Sequence, residues 1–186
     1  GPMRVSVMMD ANGCNTTAAA AVLCAMKHRS LEGAKALVLG GTGPVGLRIA
    51  RLLVSGGAEA VIASRSREKA EKAAAQITEQ AGGGRVRGVA SDAAQIKAEI
   101  AQADLIFGAG AAGVELASAE LLAGAKPETV AIDLNAAPPA GLAGIEVMDA
   151  GKERGPLVAY GAIGVGGLKM KIHKAAIAQL FTKNDL

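Results

Sequence analysis

The sequence predicts an α/β protein of the Rossmann type: a doubly wound, mainly parallel six-stranded sheet with helices on both faces, preceded by a strand and a linker helix. Three observations predict it. Short runs of Val, Ile and Leu alternate with Ala-rich amphipathic stretches, the pattern of parallel strands joined by helical crossovers. The 186 residues include 25 glycines and are 51% hydrophobic, yet contain one Tyr, two Phe and no Trp. Close backbone approach must therefore replace bulky filling, which suits helices packed on a parallel sheet. Third, a glycine-rich turn stands between a buried strand and a helix.

In chain order, residues 5–9 read as a strand. Asp10-Ala-Asn-Gly13 turns the chain, and Asn15 or Thr16 is placed to cap a helix running to about Lys27. After the polar break at 29–33, the strand at 36–39 leads through Gly40-Gly41-Thr42-Gly43-Pro44-Val45-Gly46 into a helix ending near Ser55. A strand at 60–63 and a helix at 68–80 follow. Gly82-Gly83-Gly84 ends that helix before a third strand at 85–89. Residues 105–107, 130–134 and 158–160 supply three more strands with helical connections, and the last helix runs from near Gly166 to near Phe181. No repeat or flexible linker divides the chain. Residues 1–30 read as a strand and linker helix, and residues 31–186 read as a single Rossmann domain.

Composition narrows the function. The net charge of +3 arises from 20 basic and 17 acidic residues scattered along the chain, and aromatics are too few for base stacking, so nucleic acid is not an expected partner. Cys14 and Cys24 lack paired-ligand spacing, which indicates neither a metal site nor a disulfide framework and fits a reducing cytosol. No apolar run reaches the roughly 18 residues of a membrane span. Gly1-Pro2-Met3 has no signal-peptide character and is either a protease scar or the middle of a longer chain. A cytoplasmic homo-oligomer without membrane partners is expected.

Gly41-x-Gly43-x-x-Gly46, after a strand and opening a helix, stands in the context of a dinucleotide-binding fingerprint. Gly41 permits the tight turn, Gly43 lets the backbone approach a pyrophosphate, and Gly46 lets the helix lie close. The helix N-terminus supplies N–H donors from the Thr42-to-Gly46 segment, and Pro44 suits a first helical turn. The end of the second strand selects the cofactor, because a carboxylate there would accept ribose hydroxyls and repel a phosphate. It reads Ala63-Ser64-Arg65-Ser66-Arg67, with no acid before Glu68. Ser64 can donate to a 2′-phosphate, Arg65 can pair with it and stack on adenine, and Arg67 or Lys69 can add charge. NADP is expected, with NAD as a weaker alternative. At the neighbouring strand ends, Ala109 and Gly110 leave room for ribose and nicotinamide. Asn135 either holds the carboxamide or satisfies its own turn before Pro138-Pro139, and Asp133 reads as a turn or capping carboxylate.

Three segments are distinctive: Arg4-Val-Ser-Val-Met-Met-Asp10-Ala-Asn12-Gly13-Cys-Asn15-Thr16-Thr17-Ala18, Gly41-Thr-Gly-Pro-Val-Gly46, and Gly161-Ala-Ile-Gly164-Val-Gly166-Gly167-Leu-Lys169-Met-Lys171-Ile-His173. Through them the chain resembles, nearly end to end, the methylene-tetrahydromethanopterin and methylene-tetrahydrofolate dehydrogenases of methylotrophic bacteria. The resemblance implies NADP-linked oxidation of a pterin-bound methylene group to the methenyl level in cytoplasmic one-carbon metabolism. It implies a larger two-domain enzyme, so this chain is either its cofactor half or a naturally short paralogue, and independent catalysis is in doubt. It implies that Lys169 is the cleft group holding pterin polar atoms or tuning cofactor placement. It also places Asp10, Asn12, Asn15 and Thr16 along the substrate side of the cleft. Hydride leaves the methylene carbon pushed by a pterin nitrogen lone pair, so no nucleophile or obligatory base is required, matching a sequence with no triad and only two histidines. On a helix His173 shares the face of Lys169. Two other readings compete: a non-catalytic NADP-binding module, and a short-chain or shikimate-type reductase. For the short-chain type the Tyr-x-x-x-Lys pair is absent, because Gly164 stands four residues after Tyr160.

Overall fold

The computed structural model describes residues 6–182. Seven strands form one sheet in the order β3-β2-β1-β4-β5-β7-β6. The strands are β1 (Lys35–Leu39), β2 (Glu59–Ser64), β3 (Val86–Ala90), β4 (Leu105–Gly108), β5 (Thr129–Asp133), β6 (Ala150–Arg154) and β7 (Leu157–Tyr160). All neighbours pair in parallel except β6 with β7. The chain is therefore α/β and Rossmann-like, with the order reversing between β1 and β4, where such sheets open a ligand crevice.

The six strands predicted for the sheet are present, and a seventh, β6, was not predicted. Its residues, Ala-Gly-Lys-Glu-Arg, are polar and mostly solvent-facing, as an edge strand permits. What holds it is local. Arg154 donates to both carboxylate oxygens of Asp149, at 2.9 and 3.0 Å, and Asp149 accepts the Glu146 amide at 2.8 Å. The predicted strand at 5–9 is not observed over residues 6–9, and residue 5 lies outside the described residues. An alternating pattern makes a strand only where an edge accepts it, and no strand of this sheet takes residues 6–9 as a partner.

The helices are α1 (Cys14–Met26), α2 (Pro44–Ser55), α3 (Arg67–Gln80), α4 (Ala93–Ile100), α5 (Ala119–Leu122) and α6 (Ala162–Gln179). Alternate residues of β1 show how the two layers are filled. Ala36 and Val38 join a core with α1, α2, α3 and Val165 of α6, while Leu37 and Leu39 join a second core with α4, Leu122 of α5 and the segment around Leu142 and Ile145. Small residues dominate the first core, where α1 contributes four buried alanines and α3 contributes three. Between β5 and β6 the chain is irregular rather than helical, contrary to expectation, and α6 begins four residues earlier than predicted.

Candidate functional site

β1 delivers the glycine turn to the crevice, and the structure redistributes its tasks. The left-handed residue is Gly40 (φ +66°), one position before the fingerprint, and a β-carbon there would stand 2.5 Å from Gly110 Cα. Gly41 is needed for proximity instead: a β-carbon would meet Ile62 and the Val38 carbonyl, each at 2.8 Å. Gly46 presses on the turn itself, with a β-carbon position 2.6 Å from Gly41 Cα. Gly43 differs from all of these. Its β-carbon would be in ordinary contact, 3.6 Å from the Gly40 carbonyl oxygen and 3.7 Å from that of Ala109, so folding alone does not demand glycine at this position.

Gly43 caps α2 without a side chain, and Pro44 is the first helical residue. The amides of Thr42, Val45 and Gly46 find no acceptor among the described residues, whereas Gly41 donates to the Ala63 carbonyl (3.1 Å) and Gly43 to that of Gly40 (3.2 Å). Unpaired amides at a helix N-terminus are suited to an anion.

Beside them, Thr42 donates its hydroxyl to Ser64 Oγ at 3.4 Å, which puts the end of β2 against the turn. Arg65 is exposed and makes no ion pair or hydrogen bond with the described residues, and the Lys69 ammonium is likewise free. Arg67 is not: it pairs with Glu71 at 2.8 Å. Of the three cations considered, Arg65 and Lys69 are available to a phosphate. Ser66 is occupied as the cap of α3, accepting the Lys69 amide. These groups fit a dinucleotide with a 2′-phosphate.

At the neighbouring strand ends, Ala109 donates its amide to the Leu39 carbonyl (2.9 Å), setting Ala109 and Gly110 alongside Gly40. Asn135 is only 8% exposed and spends its side chain on the local loop. Its Nδ2 donates to the Pro139 carbonyl (2.8 Å), and its Oδ1 accepts the amides of Ala137 (3.0 Å) and Gly113 (3.3 Å). Of the two roles read for it, the turn is the one observed. Asp133 acts as expected, accepting the amides of Asn135, Gly141 and Leu142. Burial outweighs those three bonds and pushes its carboxyl up.

The turn before α1 closes differently from expectation. Asn12 (φ 52°) and Gly13 (φ 67°) are consecutive left-handed residues that fold the chain back, so Asp10, not Asn15 or Thr16, caps α1. Its Oδ1 accepts the amides of Asn15 (2.8 Å) and Thr16 (3.4 Å), and its Oδ2 accepts the Thr16 hydroxyl (2.7 Å). Burial would raise the Asp10 carboxyl, but the Thr16 hydroxyl and the two amides prevail and hold it below the usual value. A cap four residues upstream of the helix has no fixed sequence signature.

Lys169, on the second turn of α6, reaches this same turn. Its Nζ lies 2.7 Å from the position of a Gly13 β-carbon, and His173 Nδ1, one helical turn on, is 3.7 Å from Asp10 Oδ2. Asn15 extends the assembly. Its Nδ2 donates to the Met9 carbonyl, and its Oδ1 accepts from Arg48 Nε, while Arg48 Nη1 donates to the Pro44 carbonyl at 2.7 Å. Arg48 therefore fastens the start of α1 to the first residue of α2. The sequence offered no signal for this, since Arg48 is one of two arginines on α2. A separate 450 Å³ cavity, lined by Lys35, Glu59 and Arg85 among others, opens at the start of β1, β2 and β3, the opposite end of those strands from the glycine turn.

Residues 22–140, more than half of the chain, match the family described as Shikimate / quinate 5-dehydrogenase. The whole chain is 43% identical over 187 residues to the bifunctional protein MdtA of Methylorubrum extorquens, covering 65% of that protein. It is 37% identical over 174 residues to the NAD(P)-dependent methylenetetrahydromethanopterin dehydrogenase of the same organism, with 88% of this chain and 58% of the relative covered. The resemblance read from the three sequence segments is thereby borne out, and the chain spans less than two thirds of either relative. Among solved structures, a transhydrogenase from Sinorhizobium meliloti superposes with a TM-score of 0.67 at 20% identity, covering 90% of this chain and 55% of that one. Quinate dehydrogenase from Corynebacterium glutamicum in complex with NAD does so with 0.61 at 21% identity, covering 90% and 57%. These likenesses establish the shared fold.

Proposed function

Because the chain belongs to the shikimate / quinate 5-dehydrogenase family and is related over its full length to a methylotroph protein, we propose that it is the NADP-binding part of a methylene-tetrahydropterin dehydrogenase. The observation that carries this reading is the continuity from Lys169 through the Gly13 turn and Asn15 to Arg48 and Pro44. It puts the groups read as substrate-facing at the head of the cofactor helix.

NADP, when bound, supplies the hydride acceptor. The chain's own residues bind and orient. Thr42, Val45 and Gly46 offer amides to the pyrophosphate, and Gly43 keeps that approach open. Ser64, Arg65 and Lys69 hold the 2′-phosphate, Ala109 and Gly110 leave space beside the ring, and Asn135 shapes that wall by fixing its loop. Asp10 and Thr16 build the turn, Asn15 ties it to Met9 and Arg48, and Asn12 presents its amide group to the pterin. Lys169 donates to pterin polar atoms. No proton is exchanged with the protein; positioning and electrostatics lower the barrier. The assignment places the protein in the cytoplasm as a homo-oligomer acting on a tetrahydropterin.

Reduction of NADP followed at 340 nm tests it, using a chimera in which the MdtA relative supplies the part of its length that this chain does not span. Turnover with methylene-tetrahydromethanopterin or methylene-tetrahydrofolate, reduced about a hundredfold or more by Lys169→Ala with NADP affinity intact, is expected. Turnover with shikimate or quinate in place of either pterin would overturn the substrate assignment.

A further inference from the structure

We propose that the groove between α1, α2 and α3 is a second anion site, distinct from the glycine turn. The groove encloses about 530 Å³ and carries Arg48 and Arg51 together with Asn15, Gln76 and Gln80, over an apolar floor that includes Ile77. No Asp or Glu is among its lining residues.

Three features make it more than a solvated helix face. Arg48 and Arg51 stand three residues apart on α2, a spacing at which like charges repel weakly and at which an anion between them would offset that repulsion. Arg51 makes no ion pair or hydrogen bond with the described residues, and its neighbours across the groove on α3 are amides, not carboxylates. Arg48 is held in place: Nε donates to Asn15 and Nη1 to Pro44, which leaves three of its five N–H donors unspent. One oriented guanidinium, one free guanidinium and two amides form a donor set for a carboxylate pair or a phosphate, and the floor accepts an apolar body attached to it. Because Asn15 belongs both to this groove and to the turn that holds Lys169, an anion here also bears on the geometry of that turn.

The test observes the arginine Nε–H resonances of the full chain by NMR during titration with inorganic pyrophosphate and, separately, with citrate. Saturable shifts at Arg48 and Arg51 with one of the two are expected, and the arm that responds tells phosphate from carboxylate. Affinity should fall about tenfold or more in Arg51→Gln and in Gln76→Glu, which places a carboxylate in the groove, while NADP affinity stays unchanged in Arg51→Gln. Shifts that fail to saturate with either anion, or an affinity in both variants equal to that of the wild type, would overturn the site. A parallel loss of NADP affinity would do the same, since it would mean that the anions were reporting the cofactor turn.

Discussion

The ammonium of Lys169 rests on the backbone of Gly13, 2.7 Å from where a β-carbon would stand, in a turn that only left-handed backbone can form. Gly13→Ala therefore meets two obstacles, a strained φ of +67° and a collision with the lysine. We expect a loss of about 1–2 kcal/mol, or a Tm lower by several degrees, and displacement of the Lys169 side chain. Thermal unfolding of the variant with the wild-type Tm would show that the turn is not built this way.

Gly43 and Gly46 separate binding from folding. A methyl group at Gly43 meets only ordinary contacts, so Gly43→Ala should keep its stability within about 0.5 kcal/mol and lose NADP affinity about tenfold or more. At Gly46 the same group stands 2.6 Å from Gly41 Cα, so Gly46→Ala should unfold more readily. Paired melting and calorimetric curves read both, and identical behaviour of the two variants would remove Gly43 from the cofactor path.

Acid should unfold the protein in a defined direction. Asp10, Asp104 and Asp149 are each pushed up by burial, yet each is held below the usual 3.8, by Thr16, Lys126 and Arg154 respectively with help from backbone amides. A carboxyl with a lowered folded value contributes stability that is complete above its unfolded value and lost as pH falls through the folded one. Asp133, pushed up by burial, has the opposite sign: it loses stability as pH rises past 3.8. Three groups against one predict a Tm that falls as the pH drops below about 4, with a shallower fall in Asp10→Asn. A Tm rising on acidification would contradict this.

The strands and the cofactor turn were legible because each has a local cause: buried parallel strands are apolar runs, and the turn needs glycine where backbones touch. What was missed depends on distant partners. β6 is polar and exists because Arg154 grips Asp149. The cap of α1 comes from Asp10 across a left-handed turn, and the role of Arg48 depends on Asn15 arriving from another helix. Gly166 and Gly167 suggested a late start for α6, but they lie inside it, where Val165 anchors the helix to the core. In sequence Arg67 reads as an alternative to Lys69 for added charge beside Arg65, and its pairing with Glu71, one helical turn on, removes it.

The central claim is that Ser64 and Arg65 recognise a 2′-phosphate beside the glycine turn, and a calorimetric titration of this chain with NADP and with NAD addresses it most directly. The wild type should bind NADP at least about tenfold more tightly than NAD, because the phosphate gains charge-assisted bonds. Arg65→Ala combined with Ser64→Asp should invert that order by removing the cation and installing a ribose acceptor. Equal affinity for the two cofactors in the wild type, or NADP affinity unchanged in the double variant, would contradict the account.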